Sequence, residues 1–418
     1  MRYILKKVQI ICPLSSHHEK VRDILIEDGI IQQIESEIDV KDAVIIHHNH
    51  AKVSLGWVDV FAHFCDPGEE YKENLSSGSH AALAGGFTDV FLIPNTNPSI
   101  DSKTKIEYLK QASNLINLYP IGAISQRMEG KQLAEMYDMK LSGAIGFSDG
   151  LMPVQNSGLL LKALQYVKTF DGTIIQMPDD KAISQFGLMH EGEVSTRLGL
   201  TAKPAIAESL QVTRDIELAA YTNSKIHFTG ISTRRSIELI REAKQKGLKV
   251  TCSINPLHLI FTDENLNTYD SMYKVNPPFR SHDDVTALLA GIHDGTIDCF
   301  ASHHMPQDWD AKRCEFEYAK AGNINIQTIF QTLLLSNQID ISTIIRMLSV
   351  TPRNIFNLNA QNIEVGKDAC LTVFQDDIEF EYNLKNNQSL SSNSPFLERK
   401  LIGKIVAVLN NKKVHLYE

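Results

Sequence analysis

The sequence contains no apolar run long enough to cross a bilayer as a helix, which takes about 20 consecutive residues. Residues 1–14 alternate between apolar and polar positions and include Lys6 and Lys7. They therefore predict a β-strand and lack the continuous apolar core of a signal peptide. From these two absences we expect a protein with no membrane partner.

Closely spaced cysteine pairs are also missing. The chain has six cysteines without any C-x-x-C spacing, and several fall inside apolar strand-like runs, where small buried residues are expected. They are Cys12, Cys65, Cys252, Cys299, Cys314 and Cys370. This usage favours a reducing compartment, so we expect a cytoplasmic location.

The chain has no excess of positive charge. Its 41 Lys and Arg residues against 50 Asp and Glu residues give a net charge of −9. Nucleic acids and anionic membranes are polyanions, so this balance argues against both as general partners. Small molecules and other proteins remain. With 43% hydrophobic and 22% charged residues, the 418 residues suffice for one large globular domain and a smaller one.

Eight apolar, β-rich runs are each followed by helix signals, and this alternation predicts an α/β fold with a closed parallel (β/α)8 barrel, the TIM barrel. The runs lie near residues 56–61, 87–93, 118–123, 143–147, 172–177, 225–229, 248–254 and 296–302. Thr233 is placed to cap a helix that ends at Gly247, and Asp283 with Asp284 opens the next helix.

The two ends of the chain differ from its middle. Both show short alternating strands separated by turns, so we expect them to pair into one β domain of residues 1–54 plus 356–418, around a barrel of residues 55–355. The segment near 382–400 is rich in Asn and Ser and predicts a surface loop.

Polar residues follow two of the predicted barrel strands directly, His63 after the first and Asn95 after the second. Strand C-terminal ends are where such barrels place their sites. This stretch resembles the start of dihydroorotases, in the cyclic amidohydrolase superfamily, whose members read Asp-x-His-x-His-x-Arg-Glu-Pro-Gly. The matching residues are Asp59, His63, Pro67 and Gly68. The motifs PNTNP, KVNPPFRS and IEVGKDACLTVF extend the resemblance nearly end to end, and it implies a β-sandwich built from both termini.

Two positions of that loop depart from the pattern. Phe61 stands where the first histidine belongs, and phenylalanine has no lone pair for zinc. Cys65 stands where the arginine belongs, and cysteine cannot replace the bidentate guanidinium that the family uses to hold the substrate carboxylate.

The other metal-ligand positions implied by the resemblance have also changed. The full set of ligand positions is Phe61, His63, Asp149, Gln176 and Gly230. Only His63 and Asp149 carry a side chain suited to zinc, because a neutral amide is a poor ligand and glycine has none. His303 stands where the family has its aspartate base. We therefore expect no bound metal and no catalytic residue.

The resemblance leaves four candidate remnants of the substrate pocket: Asn95, Asn276, Arg280 and His304. Both asparagines can equally cap turns at strand ends. A rebuilt metal site remains open as an alternative, with Cys65 beside His63 and with His303 and His304. The cluster of His47, His48 and His50 predicts a solvated turn, and adventitious metal binding there is left open as an alternative.

Two functions stay open. In the first, the protein is a catalytically inactive dihydroorotase-like member of the pyrimidine biosynthesis family and a structural partner of aspartate transcarbamoylase. In the second, it is an active zinc-dependent dihydroorotase, or a related cyclic amidohydrolase, with unusual ligands. The resemblance also implies a homo-oligomer.

Overall fold

The computed structural model describes residues 1–112, 115–359 and 361–417. The strands are β1 (Arg2–Ile10), β2 (Val21–Glu27), β3 (Ile30–Glu35), β4 (Val44–His47), β5 (Lys52–Leu55), β6 (Trp57–Ala62), β7 (Phe87–Leu92), β8 (Asn117–Gly122), β9 (Gly146–Phe147), β10 (Thr173–Gln176), β11 (Met189–His190), β12 (Ala202–Lys203), β13 (Lys225–Phe228), β14 (Val250–Ile254), β15 (Cys299–Phe300), β16 (Leu371–Tyr382), β17 (Arg399–Asn410) and β18 (Lys413–Leu416).

The α-helices are α1 (Leu75–Ala84), α2 (Lys103–Gln111), α3 (Met136–Leu141), α4 (Ser157–Lys168), α5 (Lys181–Ser184), α6 (Glu193–Leu198), α7 (Ile206–Thr222), α8 (Arg234–Gln245), α9 (His282–His293), α10 (Trp309–Lys312), α11 (Ile329–Leu335), α12 (Ile341–Ile345) and α13 (Thr351–Ile355). Within the described residues, none of the helices combines the length and apolar composition that crossing a bilayer would need.

Eight parallel strands form the barrel in the order β6-β7-β8-β9-β10-β13-β14-β15. All eight overlap the eight apolar runs of the sequence, so the predicted (β/α)8 barrel is confirmed. A parallel bridge between Ala62 and His304 closes the ring, and the His63 backbone N–H donates to the His304 carbonyl at 2.9 Å. The Asp59 carboxylate strengthens the same seam by accepting the Ser302 backbone N–H at 2.8 Å and the Ser302 hydroxyl.

The helix signals in the sequence locate two outer helices. The Thr233 side chain accepts the Ser236 N–H and starts α8, as predicted. Helix α9 starts at His282, one residue earlier than predicted. The Ser281 side chain accepts the Asp284 N–H, and the Asp284 carboxylate accepts the Ser281 N–H, which together form a capping box. Burying the apolar faces of these helices against the strands stabilises the barrel.

The chain termini form one mixed sheet of eight strands. Strand β5, from the N-terminal part, pairs antiparallel with β16, from the C-terminal part, and β1 lies between β5 and β2. Its strands share an apolar core that includes Leu5, Ile24, Val53, Val373 and Leu409. The two ends therefore depend on each other for burial, while the exact domain boundaries given above stay predictions.

The Asn- and Ser-rich segment between β16 and β17 was expected to be a surface loop, and this is wrong for its second half. Ser391, Asn393 and Ser394 are buried. The Asn393 amide donates to the backbone carbonyls of Met305 and Gly322, both at 3.0 Å. Polar composition indicated exposure, but these side chains satisfy backbone groups of the loops above the barrel.

A buried ion pair lies under the first two barrel strands. The guanidinium of Arg353 donates to the Asp89 carboxylate at 2.7 Å and to the Gly56 carbonyl at 2.9 Å, and both charged side chains are at most 5% exposed. We expect Arg353→Met to destabilise the fold by about 3–5 kcal/mol, because it leaves the Asp89 charge buried without its partner. The urea midpoint of unfolding measures the loss.

The matched control is Arg235→Met on α8, where the side chain is 57% exposed and its guanidinium pairs with Glu238. Its effect should stay within about 0.5 kcal/mol, because exposed pairs contribute little. Equal midpoints for the two variants would contradict the structural role of Arg353.

Candidate functional site

A cavity of about 270 Å³ opens at the C-terminal ends of the barrel strands. Its wall includes His63 after β6, Asn95 after β7, Asn255 after β14 and His303 after β15. Each residue lies within three positions of the end of its strand, and the strand ends converge on one mouth. The cavity therefore occupies the position at which barrels of this kind carry their sites.

His63 and Cys65 contact each other at this mouth. The His63 Nε2–H donates to the Asn95 carbonyl at 2.9 Å, which leaves the Nδ1 lone pair to face the Cys65 Sγ at 3.3 Å. Burial lowers the pKa of His63 to about 4 and raises the pKa of the Cys65 thiol. At neutral pH the pair is therefore an imidazole accepting a weak bond from a thiol.

A tight turn brings Glu69 back over Cys65. Cys65 has a left-handed backbone with φ of 59°, Gly68 has φ of 109°, and the Glu69 N–H donates to the Cys65 carbonyl at 2.8 Å. As a result, one ligand atom each from His63, Cys65 and Glu69 lie within 4.8 Å of one another. Positive φ costs free energy outside glycine, so the cysteine is held in this position by the surrounding turn.

Lys72 supplies a positive charge beside this cluster. Its Nζ donates to the Glu69 Oε1 at 2.7 Å, and its side chain is 14% exposed. Lys72 also lines the cavity. The ammonium therefore balances the Glu69 carboxylate at the cavity wall.

The buried ring of Phe61 packs against the ring of His303, which lines the cavity. Their centroids are 4.8 Å apart, and the His303 Nε2 lies 3.0 Å from the Thr229 hydroxyl. A Cβ added to Gly230 would lie 2.7 Å from Cε1 of His303. The His303 ring therefore fills the space that a side chain at position 230 would need. Burial lowers the pKa of His303 to about 3.

Gln176 and Asp149 occupy two of the metal-ligand positions that the resemblance implies. Neither amide atom of Gln176 has a hydrogen-bond partner among the described residues, although the side chain is buried. The Asp149 carboxylate accepts the backbone N–H groups of Ile124 and Ser125, each at 2.9 Å, and the Ser125 hydroxyl. Burial raises its pKa to about 6. Its oxygens are thus used by the loop after β8, away from the cavity wall.

The two asparagines both reach the cavity, but their amides also have structural partners. The Asn95 Oδ1 accepts the Leu151 N–H at 3.0 Å and its Nδ2 donates to the Asp149 carbonyl at 3.3 Å. The Asn276 Oδ1 accepts from the Lys203 Nζ at 2.7 Å. The Asn95 side chain therefore holds the loop after β9, and not a turn at the end of its own strand.

Arg280 and His304 do not line the cavity, in contrast to their prediction as pocket remnants. Arg280 is buried, and its guanidinium donates to the Ser232 hydroxyl and lies 3.6 Å from the Glu208 carboxylate. The His304 Nε2 contacts the Glu73 carboxylate at 3.3 Å, and its Nδ1 accepts the Asn325 N–H at 3.2 Å. The sequence could not show that carboxylates from other segments would hold both side chains.

Comparison with known proteins gives this architecture a family. A model described as dihydro-orotase-like matches residues 51–236, and one described as the amidohydrolase family matches residues 181–414. The dihydroorotase of Acetivibrio thermocellus is 38% identical over 405 residues, which cover 95% of either chain. The dihydroorotase of Aquifex aeolicus is 35% identical over 420 residues, which cover 99% of either chain.

Among solved structures, the L-hydantoinase (dihydropyrimidinase) from Arthrobacter aurescens superposes with a TM-score of 0.86 at 20% identity, covering 100% of this chain and 97% of its own. A D-hydantoinase gives a TM-score of 0.85, covering 95% of its chain. The barrel, the terminal β domain and the cavity at the strand ends define an amidohydrolase. At 38% identity to a dihydroorotase over nearly its full length, the chain belongs to the dihydroorotase family.

The zinc that this family implies does not fit the residues present. Phe61 and Gly230 offer no ligand atom, Gln176 offers only a neutral amide, and the His303 Nε2 is engaged with Thr229. The ring of His303 also fills the space at position 230. No hydrolytic step through that metal can be built from these side chains.

Sequence reasoning did not identify Glu69 and Lys72 as residues of the site. A signal was present, because His63, Cys65 and Glu69 lie within seven positions of one loop. That spacing brings ligand atoms together only if the chain turns back sharply, and the turn depends on the left-handed Cys65. Cysteine has no preference for the left-handed backbone, so the sequence does not predict this turn.

Gly230→Ala tests whether His303 fills the vacated position. Alanine at φ of 66° costs about 1–2 kcal/mol for the left-handed backbone. Contact with the buried His303 ring should add about 1–3 kcal/mol. Urea unfolding followed by circular dichroism measures the sum.

Gly247→Ala is the matched control, since φ there is 75° and nothing lies within 4 Å of the added Cβ. It should show the backbone cost alone. If the two variants lose the same stability, the packing of His303 against position 230 is refuted.

Proposed function

We propose that this member of the dihydroorotase family does not catalyse the family's zinc-dependent hydrolysis and serves instead as a structural partner of an aspartate transcarbamoylase in pyrimidine biosynthesis. One observation carries the loss of the reaction: the rings of Phe61 and His303 pack with centroids 4.8 Å apart, and the His303 ring fills the space that a side chain at Gly230 would need. Three changes from the family pattern thus fit one another sterically.

The step that these residues cannot perform is the activation of water. Zinc lowers the pKa of its bound water from 15.7 to about 7, and the ligands for that zinc are lacking at positions 61, 176 and 230. His303 replaces the aspartate base, and a buried imidazole with a pKa of about 3 is a weak proton acceptor at neutral pH. The site then lacks both an activated water and a base to accept its proton.

The partner role draws support from helix α7. Ile206, Leu210 and Tyr221 are 53%, 45% and 78% exposed. Helical spacing places them within about 60° of one another around the axis, so they lie along one outward-facing stripe of the helix, which also carries the exposed Thr213 and Glu217. Exposed apolar surface of this kind marks protein interaction sites. We assign this stripe, the α7 stripe, to the transcarbamoylase contact.

The unaltered chain should not hydrolyse dihydroorotate above the rate of a heat-denatured sample. A spectrophotometric assay with added zinc measures this, with the Acetivibrio thermocellus dihydroorotase as positive control. Turnover comparable to that enzyme would end the proposal.

Restoration should require all the lost groups together, namely Phe61→His, Cys65→Arg, Gln176→His, Gly230→His and His303→Asp. A control variant carries the other four changes without His303→Asp and should remain inactive, because it lacks the base. Activity from Phe61→His alone would show that the remaining site is functional after all.

The partner proposal predicts co-elution with the transcarbamoylase of the same cell on size-exclusion chromatography at micromolar concentration. The double variant Ile206→Glu with Leu210→Glu should abolish it, because two charges would be buried in the α7 stripe. Leu141→Glu, at a leucine of α3 that is 70% exposed, is the matched control and should still co-elute. If the unaltered proteins elute separately, the partner role falls, while the assay above still decides the loss of activity.

A further inference from the structure

We propose that His63, Cys65 and Glu69 bind a single thiophilic divalent cation of the zinc type at the wall of the cavity. This site shares only His63 with the family's metal centre, and it does not depend on the proposed loss of hydrolysis. Its donors are one imidazole nitrogen, one thiolate sulfur and one carboxylate oxygen. Such a mixed set suits zinc, cobalt and cadmium better than magnesium or calcium, which prefer oxygen alone.

The donor atoms are arranged for a shared ligand. The three lie within 4.8 Å of one another. Ligand atoms of a tetrahedral zinc are roughly 3.5 Å apart for bonds of 2.0–2.3 Å, so a small movement of the Glu69 side chain completes the set. His63 and Glu69 line the cavity, which leaves a fourth position open to a water or small molecule.

The tautomer of His63 supports the assignment. Ligating histidines generally donate their second ring N–H to a carbonyl or carboxylate, which fixes the ring. Here the Nε2–H donates to the Asn95 carbonyl at 2.9 Å, and the free lone pair is on Nδ1, the atom that faces Cys65. The ring is thus held in the orientation that ligation needs before any ion arrives.

Cys65 and Glu69 each have one change to make on binding. The Cys65 thiol loses its proton to solvent, since the thiolate is the ligand. The Glu69 Oε1 is engaged with the Lys72 Nζ at 2.7 Å, and its second oxygen is left for the ion. Lys72 competes with the cation for the same carboxylate, so it weakens binding without being a ligand.

Cobalt titration of the purified full chain tests the site, because thiolate coordination gives a charge-transfer absorption band that other ligands do not. The unaltered protein should show this band, saturating at one ion per chain. Cys65→Ser should abolish the band. His63→Ala and Glu69→Gln should each weaken affinity by at least the roughly 10–100-fold that losing a supporting group costs.

Two further variants separate this site from adventitious binding. Lys72→Met should tighten cobalt binding roughly tenfold, an effect that no merely structural role of Lys72 would produce. His50→Ala alters the exposed histidine cluster, where His50 contacts Asp377 at 3.1 Å, and should leave the band unchanged.

Absence of the band in the unaltered chain, or its persistence in Cys65→Ser, would overturn the proposal. Cobalt that binds the unaltered chain without this band, and whose binding is lost in His50→Ala, would place the ion at the histidine cluster and would also overturn it. The absorption readout needs no turnover, so its result is separate from the dihydroorotate assay.

Discussion

Closure of the barrel between its first and last strands is the constraint on which the site depends. Asp59 accepts two hydrogen bonds from Ser302, and a bridge joins Ala62 to His304 just beyond. Burial raises the pKa of the Asp59 carboxyl to about 6, so the hydrogen bonds from Ser302 hold a group that is costly to keep ionised there. The seam places His63 and His303 on opposite sides of one closure, and both side chains reach the same cavity.

The same seam explains how the mouth could change its chemistry without losing its shape. In the family pattern a histidine at position 61 would bind the metal and an aspartate at position 303 would act as the base, whereas the phenylalanine and histidine present here pack ring against ring. Glycine at position 230 removes the side chain that would collide with His303. The strand ends keep their spacing because the backbone pairing, and not the ligands, fixes them.

The loop after the first barrel strand, which contains His63 and Cys65, differs from the family pattern in another way. It keeps the His63 position of the family but turns sharply at Cys65, which brings a thiol and a carboxylate to the same histidine. The packing of Phe61 against His303 and the grouping of Cys65 and Glu69 around His63 therefore arise from different substitutions.

The amino-acid sequence by itself determined the architecture, because hydrophobic period and capping residues are local: all eight barrel strands and the Thr233 cap were readable from the chain. It also showed which ligand side chains are lacking, since that is a matter of identity alone. Only the tertiary structure decided which groups meet. Arg280 and His304 bind carboxylates of distant segments, Asp149 bonds a neighbouring loop, and Glu69 joins His63 through a left-handed turn. Such contacts depend on how several strand ends converge, and no local pattern encodes that convergence.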